Sequence, residues 1–119
     1  MSRIKGGRLA RAAAPARVVT LAISDVPGDD PSAIGSGPTV GDPTSLEDAR
    51  TILNDFKVDL PASVEAALSD ERNETPAPDD PVFEGNVFTL VSRPADALAA
   101  AADMAKSLGY AVEMLGYSM

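Results

Sequence analysis

The sequence contains no cysteine, no histidine and no tryptophan. Without cysteine there is no disulfide framework, no thiolate nucleophile and no zinc–thiolate cluster. Without histidine, neither a Ser-His-Asp triad nor an imidazole general base can be built from this chain. Acid–base or metal chemistry therefore falls to carboxylates, lysine, arginine, hydroxyls or the backbone. The lack of cysteine fits a reducing compartment, and a cytoplasmic location is expected. Aromatic residues are scarce, with three Phe and two Tyr among 119 residues, whereas alanine occurs twenty times. Alanine buries little area per residue, so the core must be thin and rest on Val, Ile, Leu and Met. Long apolar runs are missing too. The longest, the valines leading into Leu21-Ala22-Ile23, is far short of the ~20 residues that cross a bilayer as a helix. No membrane partner is expected.

What is present is ordinary for one globular domain: 45% hydrophobic and 24% charged residues. The net charge of -8 is unevenly placed. Residues 1–17 carry Arg3, Lys5, Arg8, Arg11 and Arg17 with no acid, and the rest carries five bases against eighteen acids. So acidic a body repels a phosphate backbone, which argues against nucleic acid as a partner. An arginine-rich, acid-free start is also the pattern of an organellar transit peptide. Here Gly6-Gly7 and Pro15 interrupt it, and it runs straight into a strand pattern.

Helix-like and strand-like segments alternate along the chain. Residues 2–14 read as a short helix ending near Pro15, and 17–24 (RVVTLAIS) as a strand buried on both faces. Thr44 and Glu47 have capping-box spacing, opening a helix with Leu46, Ala49, Leu53 and Phe56 on one face. Pro61 suits the first turn of another short helix with Val64 and Leu68 inward. Residues 70–81 (DERNETPAPDDP) read as a surface connection. Residues 86–92 (NVFTLVS) read as a strand, and Pro94 opens a helix striped by Leu98, Ala101, Ala102, Ala105 and Leu108 and closed by Gly109. The alanine stripe of Ala99 to Ala102 is expected to pack closely on a sheet. Residues 110–115 (YAVEML) read as a further strand, completing a β-α-β unit with parallel pairing. The expectation is a single α/β domain over residues 1–119, Rossmann-like, with α/β/α layers around a parallel sheet.

In such sheets ligands lie beyond the carboxyl ends of strands. The loop after the first strand occupies that place. It holds Asp25, Gly28, Asp29 and Asp30, then Gly35-Ser36-Gly37-Pro38-Thr39, then Asp42. Glycines let backbone N–H groups approach an anion, hydroxyls add donors, and one or two acids with substrate phosphates suit Mg²⁺. Gly, Pro, Asp and Ser are equally the residues of any turn-rich loop. Neither nucleotide fingerprint is present: Gly35-Ser36-Gly37 continues as Pro38-Thr39-Val40, and there is no Walker A sequence. Lys5 beside Gly6-Gly7 offers a cation on a pliable backbone, or simply a solvated surface charge.

Read together, SRIKGGRLA (2–10) and SDVPGDDPSAIGSGPTVGDPT (24–44) resemble the glycerate 2-kinase family, the class II glycerate kinases often labelled hydroxypyruvate reductase. LPASV (60–64), ETPAPDDP (74–81) and the AAADMAKSLGY segment ending at Tyr110 extend the likeness, in order, over nearly the whole chain. The resemblance implies an ATP- and Mg²⁺-dependent phosphorylation of D-glycerate at its 2-hydroxyl, in a cleft between two α/β domains. It implies catalytic roles for Lys5, Asp25 and Asp29, with Asp25 and Asp29 also candidate metal ligands. Gly6, Gly7, Gly28, Ser36, Gly37 and Thr39 become candidates for binding substrate or phosphate.

The same resemblance marks departures. The family's chains are longer, and a preceding segment with an essential lysine and a C-terminal domain are not in this sequence. An incomplete first domain, inactive by itself, is expected on that basis. The alternatives are a non-catalytic binding or assembly module and a small-anion binder. Open sheet edges recruit strands, so a homodimer through a sheet edge or face is the expected assembly.

Overall fold

The computed structural model describes residues 2–116. Its only sheet among these residues is a parallel pair, β1 (Val19–Ile23) and β2 (Val87–Ser92). Four α-helices accompany it: α1 (Arg8–Ala13), α2 (Leu46–Asp55), α3 (Ala62–Leu68) and α4 (Pro94–Ser107). Short 3₁₀ turns lie at Ile34–Ser36, Glu71–Asn73 and Pro81–Phe83. The class is α/β with parallel pairing. Val19 stands opposite Val87 and Leu21 opposite Thr89, with an irregularity between Ala22 and Ile23 that brings Ile23 opposite Ser92. Asn86 locks the start of the pair: its Oδ1 accepts from Val18 N–H at 2.8 Å, and Val87 N–H donates to Val18 O at 2.9 Å.

Several elements differ from the reading of the sequence, each for a physical reason. The first helix begins only at Arg8, because Gly6 (φ +59°) and Gly7 (φ +74°) are left-handed and no helix can run through them. The capping box shifts by one residue. Ser45 and Asp48 form it, with Ser45 Oγ accepting from Asp48 N–H at 3.1 Å and Asp48 accepting from Ser45 N–H at 2.8 Å. Thr44 is already committed to Asp42, to which it donates both its N–H (2.9 Å) and its hydroxyl (2.7 Å).

β1 is not buried on both faces. Val19, Leu21 and Ile23 are each more than 60% exposed, and only the Thr20/Ala22 face is half-buried. The stretch 110–115 forms no strand; it finds no ladder partner, and Tyr110 N–H turns back to Ala105 O at 3.1 Å. The alanine stripe does not pack closely on the sheet: Ala99, Ala100 and Ala101 are exposed and only Ala102 of the four is buried. The 70–81 segment is more than a surface connection. Pro76 is fully buried, and the Glu74 carboxylate accepts from Leu46 N–H at 3.1–3.2 Å, satisfying a free donor at the start of α2.

The resulting molecule is open, 61 × 40 × 20 Å, with a radius of gyration of 19.1 Å. A compact domain of this length has about 13–14 Å. Buried apolar side chains are few and dispersed: Ala10, Leu46, Leu68 and Ala102. No helix among the described residues is long and apolar enough to cross a membrane.

Candidate functional site

The loop that leaves β1 is built from local hydrogen bonds. Ser24 is buried, and its hydroxyl donates to Val26 O at 3.3 Å. Gly28 (φ +83°) and Asp29 (φ +57°) then turn the chain through the left-handed region. Asp29 reaches the end of the neighbouring strand, where its carboxylate lies 3.8 Å from Arg93 Nε. Asp30 Oδ1 accepts both the N–H and the hydroxyl of Ser32, each at 2.8 Å. These two bonds, the backbone one first, hold its carboxyl below the usual carboxylate range.

Next come three successive left-handed residues: Gly35 (φ +59°), Ser36 (φ +64°) and Gly37 (φ +55°). Two are glycines, which adopt this conformation freely; a serine there is strained by about 1–2 kcal/mol. The carbonyls of the turn meet residues 6–9, near the start of the sequence. Gly6 N–H donates to Ser36 O (2.9 Å), Gly7 N–H to Gly37 O (2.7 Å), and Leu9 N–H to Pro38 O (3.1 Å). Lys5-Gly6-Gly7 is thereby joined to Ser36-Gly37-Pro38.

Glycine is required on both sides of this seam. A Cβ at Gly6 would stand 2.8 Å from Asp42 Oδ2 and 2.7 Å from Thr75 Cγ2, and one at Gly7 would meet Phe83, Pro76 and Val40 O within 2.8 Å. Over the seam lies a cleft of about 450 Å³ lined by Ser2, Lys5, Gly6, Arg8, Ser32, Ser36, Gly37, Gly41, Asp42, Pro43, Thr44 and Thr75.

Of the residues picked from sequence, Lys5, Gly6, Ser36 and Gly37 therefore meet in one cleft. Gly7 lies buried behind it. Thr39 faces away, its hydroxyl 2.7 Å from that of Thr20 on β1. Asp25, Gly28 and Asp29 do not line the cleft; they sit near the carboxyl end of β1, with Asp25 exposed. Arg8, Thr44 and Thr75 are additions, and Asp42, named from sequence only as one of the loop carboxylates, joins them on the lining. For Asp42 the signal was the Asp-Pro-Thr spacing, in which a carboxylate bonds the backbone two residues on. Arg8 braces the cleft, its guanidinium donating to Ser2 O at 2.7 Å and to Asn73 O.

Four backbone N–H groups of the seam are not free to cradle an anion. Ser36 N–H already donates to Ala33 O and Gly37 N–H to Ile34 O, both at 3.0 Å, and the N–H groups of Gly6 and Gly7 close the seam. The polar groups on the lining of the cleft are the side chains of Lys5, Arg8, Ser36, Thr44 and Thr75, with Asp42 as the one carboxylate. Among the described residues no three carboxylates converge on a metal position. The donor set suits a cation that takes one or two protein acids and fills its sphere with phosphate oxygens.

Comparison with known proteins agrees with this architecture. A protein of Agrobacterium vitis bearing a provisional hydroxypyruvate reductase name is 53% identical over 116 residues, covering 98% of this chain and 26% of its own. Glycerate kinases of Macaca fascicularis and Homo sapiens are 40% and 39% identical over 122 residues, covering all of this chain and 30% and 23% of theirs. Among solved structures, glycerate kinase from Thermotoga maritima superposes with a TM-score of 0.74 at 32% identity, over 97% of this chain and 26% of that one. The PH0495 protein from Pyrococcus horikoshii gives 0.71 at 35% identity, over 92% and 26%. The chain thus spans about a quarter of the length of most of these relatives. The family described as "Domain of unknown function (DUF4147)" matches residues 1–69, more than half of the chain, and the chain belongs to that family.

Proposed function

We propose that this chain provides one wall of the active-site cleft of a glycerate 2-kinase, which transfers the γ-phosphoryl group of ATP to the 2-hydroxyl of D-glycerate. The observation that carries the reading is the seam between Lys5-Gly6-Gly7 and Ser36-Gly37-Pro38, which sets two cations and several hydroxyls around one cleft. D-Glycerate is a small anion with hydroxyls, and ATP adds phosphate charge. Lys5 and Arg8 are the groups to offset that charge, and Ser36 and Thr75 can orient the substrate. Phosphoryl transfer needs little else from a protein than positioning and charge neutralisation.

Mg²⁺ belongs to the reading as the ion that neutralises nucleotide phosphates. Asp25 and Asp29, the loop carboxylates offered to it by the sequence, lie outside this cleft near the end of β1, so they would hold the ion only where the nucleotide extends past the cleft to that end. The relatives named glycerate kinase support the activity. The reductase name has less support, because hydride transfer calls for a nicotinamide site and Gly35-Ser36-Gly37 is a closed turn rather than a strand-to-helix fingerprint. The cysteine-free composition supports a cytoplasmic setting. The exposed Val19/Leu21/Ile23 face supports self-association through the sheet.

The test is ATP turnover with D-glycerate, the product identified by ³¹P NMR as the 2- or 3-phosphate. Two proteins are compared: this chain alone, and the Thermotoga maritima enzyme carrying this chain in place of its matching quarter. The graft is expected to form 2-phosphoglycerate and the chain alone to be inactive. A folded graft that ignores glycerate would overturn the kinase reading and favour an anion-binding or assembly module.

A further inference from the structure

Asp42 differs from the other carboxylates of the loop in how its two oxygens are used. Oδ1 is fixed, accepting the N–H of Thr44 at 2.9 Å and its hydroxyl at 2.7 Å. The backbone is fixed as well, since Asp42 N–H donates to Pro76 O at 2.9 Å and Pro76 is fully buried. Oδ2 lies against the open face of Gly6, 2.8 Å from where a Cβ would stand. It takes part in no hydrogen bond or ion pair among the described residues. Gly6 is thus the residue whose missing side chain lets a carboxylate oxygen approach the backbone of this segment. Asp42 is also the one carboxylate lining this cleft, whereas Asp25 and Asp29 lie outside it.

A half-buried carboxylate on a cleft lining, with one oxygen anchored and the other free, can serve as a general base for a hydroxyl bound there. We infer that Asp42 is the catalytic base of the cleft, an assignment that rests on the kinase reading above. The substrate's 2-hydroxyl gives its proton to Asp42 Oδ2 while its oxygen bonds to the γ-phosphorus. The bond from that phosphorus to the bridging oxygen breaks, and its electron pair leaves with ADP. Asp42 then releases the proton to solvent. Lys5 holds the substrate's negative charge beside the reacting oxygen, and Thr44 keeps the carboxylate aimed.

A purely structural Asp42, serving only the turn before α2, is the competing explanation, and the two separate cleanly. Asp42→Asn keeps a carbonyl oxygen for Thr44 and so preserves the turn, but it cannot take a proton. Asp42→Ala loses both. In the graft described above, Asp42→Asn is expected to lower kcat by about 10²–10⁴-fold, leave KM for D-glycerate within about threefold, and leave the melting temperature unchanged. Asp42→Glu should recover part of the rate. The acidic limb of the kcat–pH profile should vanish in the residual activity of Asp42→Asn.

An Asp42→Asn graft with kcat within threefold of its parent would overturn the assignment while leaving the kinase reading intact. So would a variant whose rate returned at raised Mg²⁺, which would make Asp42 a metal ligand. A parent graft that is folded but does not phosphorylate glycerate would overturn both. Should the variants fail to fold, the ¹³C carboxyl resonance of Asp42 in the parent graft decides: saturating D-glycerate must shift it, and an unmoved signal refutes the role.

Discussion

Two glycines two residues apart in one turn allow the packing role of the cleft floor to be separated from its backbone conformation. Gly35 and Gly37 have nearly the same φ, +59° and +55°. Alanine at either position carries the left-handed penalty, about 1–2 kcal/mol. Their surroundings differ. A Cβ at Gly35 would have Pro38 Cδ at 4.0 Å as its nearest neighbour, an ordinary contact without a clash. A Cβ at Gly37 would stand 2.8 Å from Ser32 O and 3.0 Å from Ser32 Cα. Both are backbone atoms, so no rotamer change relieves the clash. Overpacking of this kind adds about 1–3 kcal/mol. Gly35→Ala should therefore destabilise by about 1–2 kcal/mol and Gly37→Ala by about 2–5 kcal/mol. Against the ~5–15 kcal/mol that holds a typical domain together, the second is severe. Urea titration followed by far-UV circular dichroism reads both as shifts in midpoint at constant slope. Equal shifts for the two variants would show that the Gly37–Ser32 approach does not constrain the fold. The sequence offers Gly37 as a candidate for binding substrate or phosphate. With its N–H donated to Ile34 O, a bulkier residue such as Gly37→Val should fail in folding first.

Four further outcomes follow from the same geometry. Ser36→Gly should raise stability by up to about 1 kcal/mol by relieving the left-handed strain, while weakening D-glycerate binding to the graft in calorimetry; unchanged stability would refute the strain. Glu74→Ala should cost about 1 kcal/mol in urea titrations, since it leaves Leu46 N–H at the start of α2 without its acceptor. Asp48, Asp30 and Asp70 titrate below the usual carboxylate range, held ionised by hydrogen bonds from Ser45, Ser32 and Arg72 respectively. Their folded pKa values lie below the unfolded ones, so their stabilisation is complete above about pH 4 and is lost as pH falls through the folded values; helical ellipticity should drop there, and less so in Asp48→Asn. Light scattering at low and high micromolar concentration should show the chain self-associating, with Leu21→Lys on the exposed sheet face reducing it; a monomer at both concentrations would refute that.

How much of this was legible in the sequence depends on the range of the forces involved. β1, β2, α2, α3 and α4 were readable because alternation, apolar spacing and proline placement act within a few residues. The third strand was not, although 110–115 has strand composition, because a strand exists only through its ladder partner. Thr44 and Ser45 show competition at the shortest range: either could cap α2, and the carboxylate of Asp42 decided between them by engaging Thr44. The role of residues 70–81 was hidden for the opposite reason. Their acidic, proline-rich composition describes a surface loop, yet Glu74 and Pro76 are held by groups about thirty residues away, at Leu46 and Asp42. In the cleft, residue type identified Lys5, Gly6, Ser36 and Gly37 as unusual. It did not reveal that their N–H groups would be consumed in joining the two segments, since that follows from a left-handed Ser36 that no local rule predicts.

The division of labour in the cleft follows from that consumption. A glycine-rich loop can serve a ligand with its backbone or serve the fold by close approach, and one N–H cannot do both. Here Gly6, Gly7, Gly37 and Gly41 each sit where a Cβ would strike a neighbour within 2.8 Å. The loop is therefore a packed floor, and the groups left to meet a ligand are the side chains that rise from it. The sheet shows the reverse condition, with regular backbone pairing but a bare face of Val19, Leu21 and Ile23. The order of the cleft thus comes from its own seam of hydrogen bonds and glycine contacts rather than from a core beneath it. On that account the cleft should keep its geometry when another surface covers the sheet, and covering the sheet should change stability far more than it changes the placement of Lys5 and Asp42.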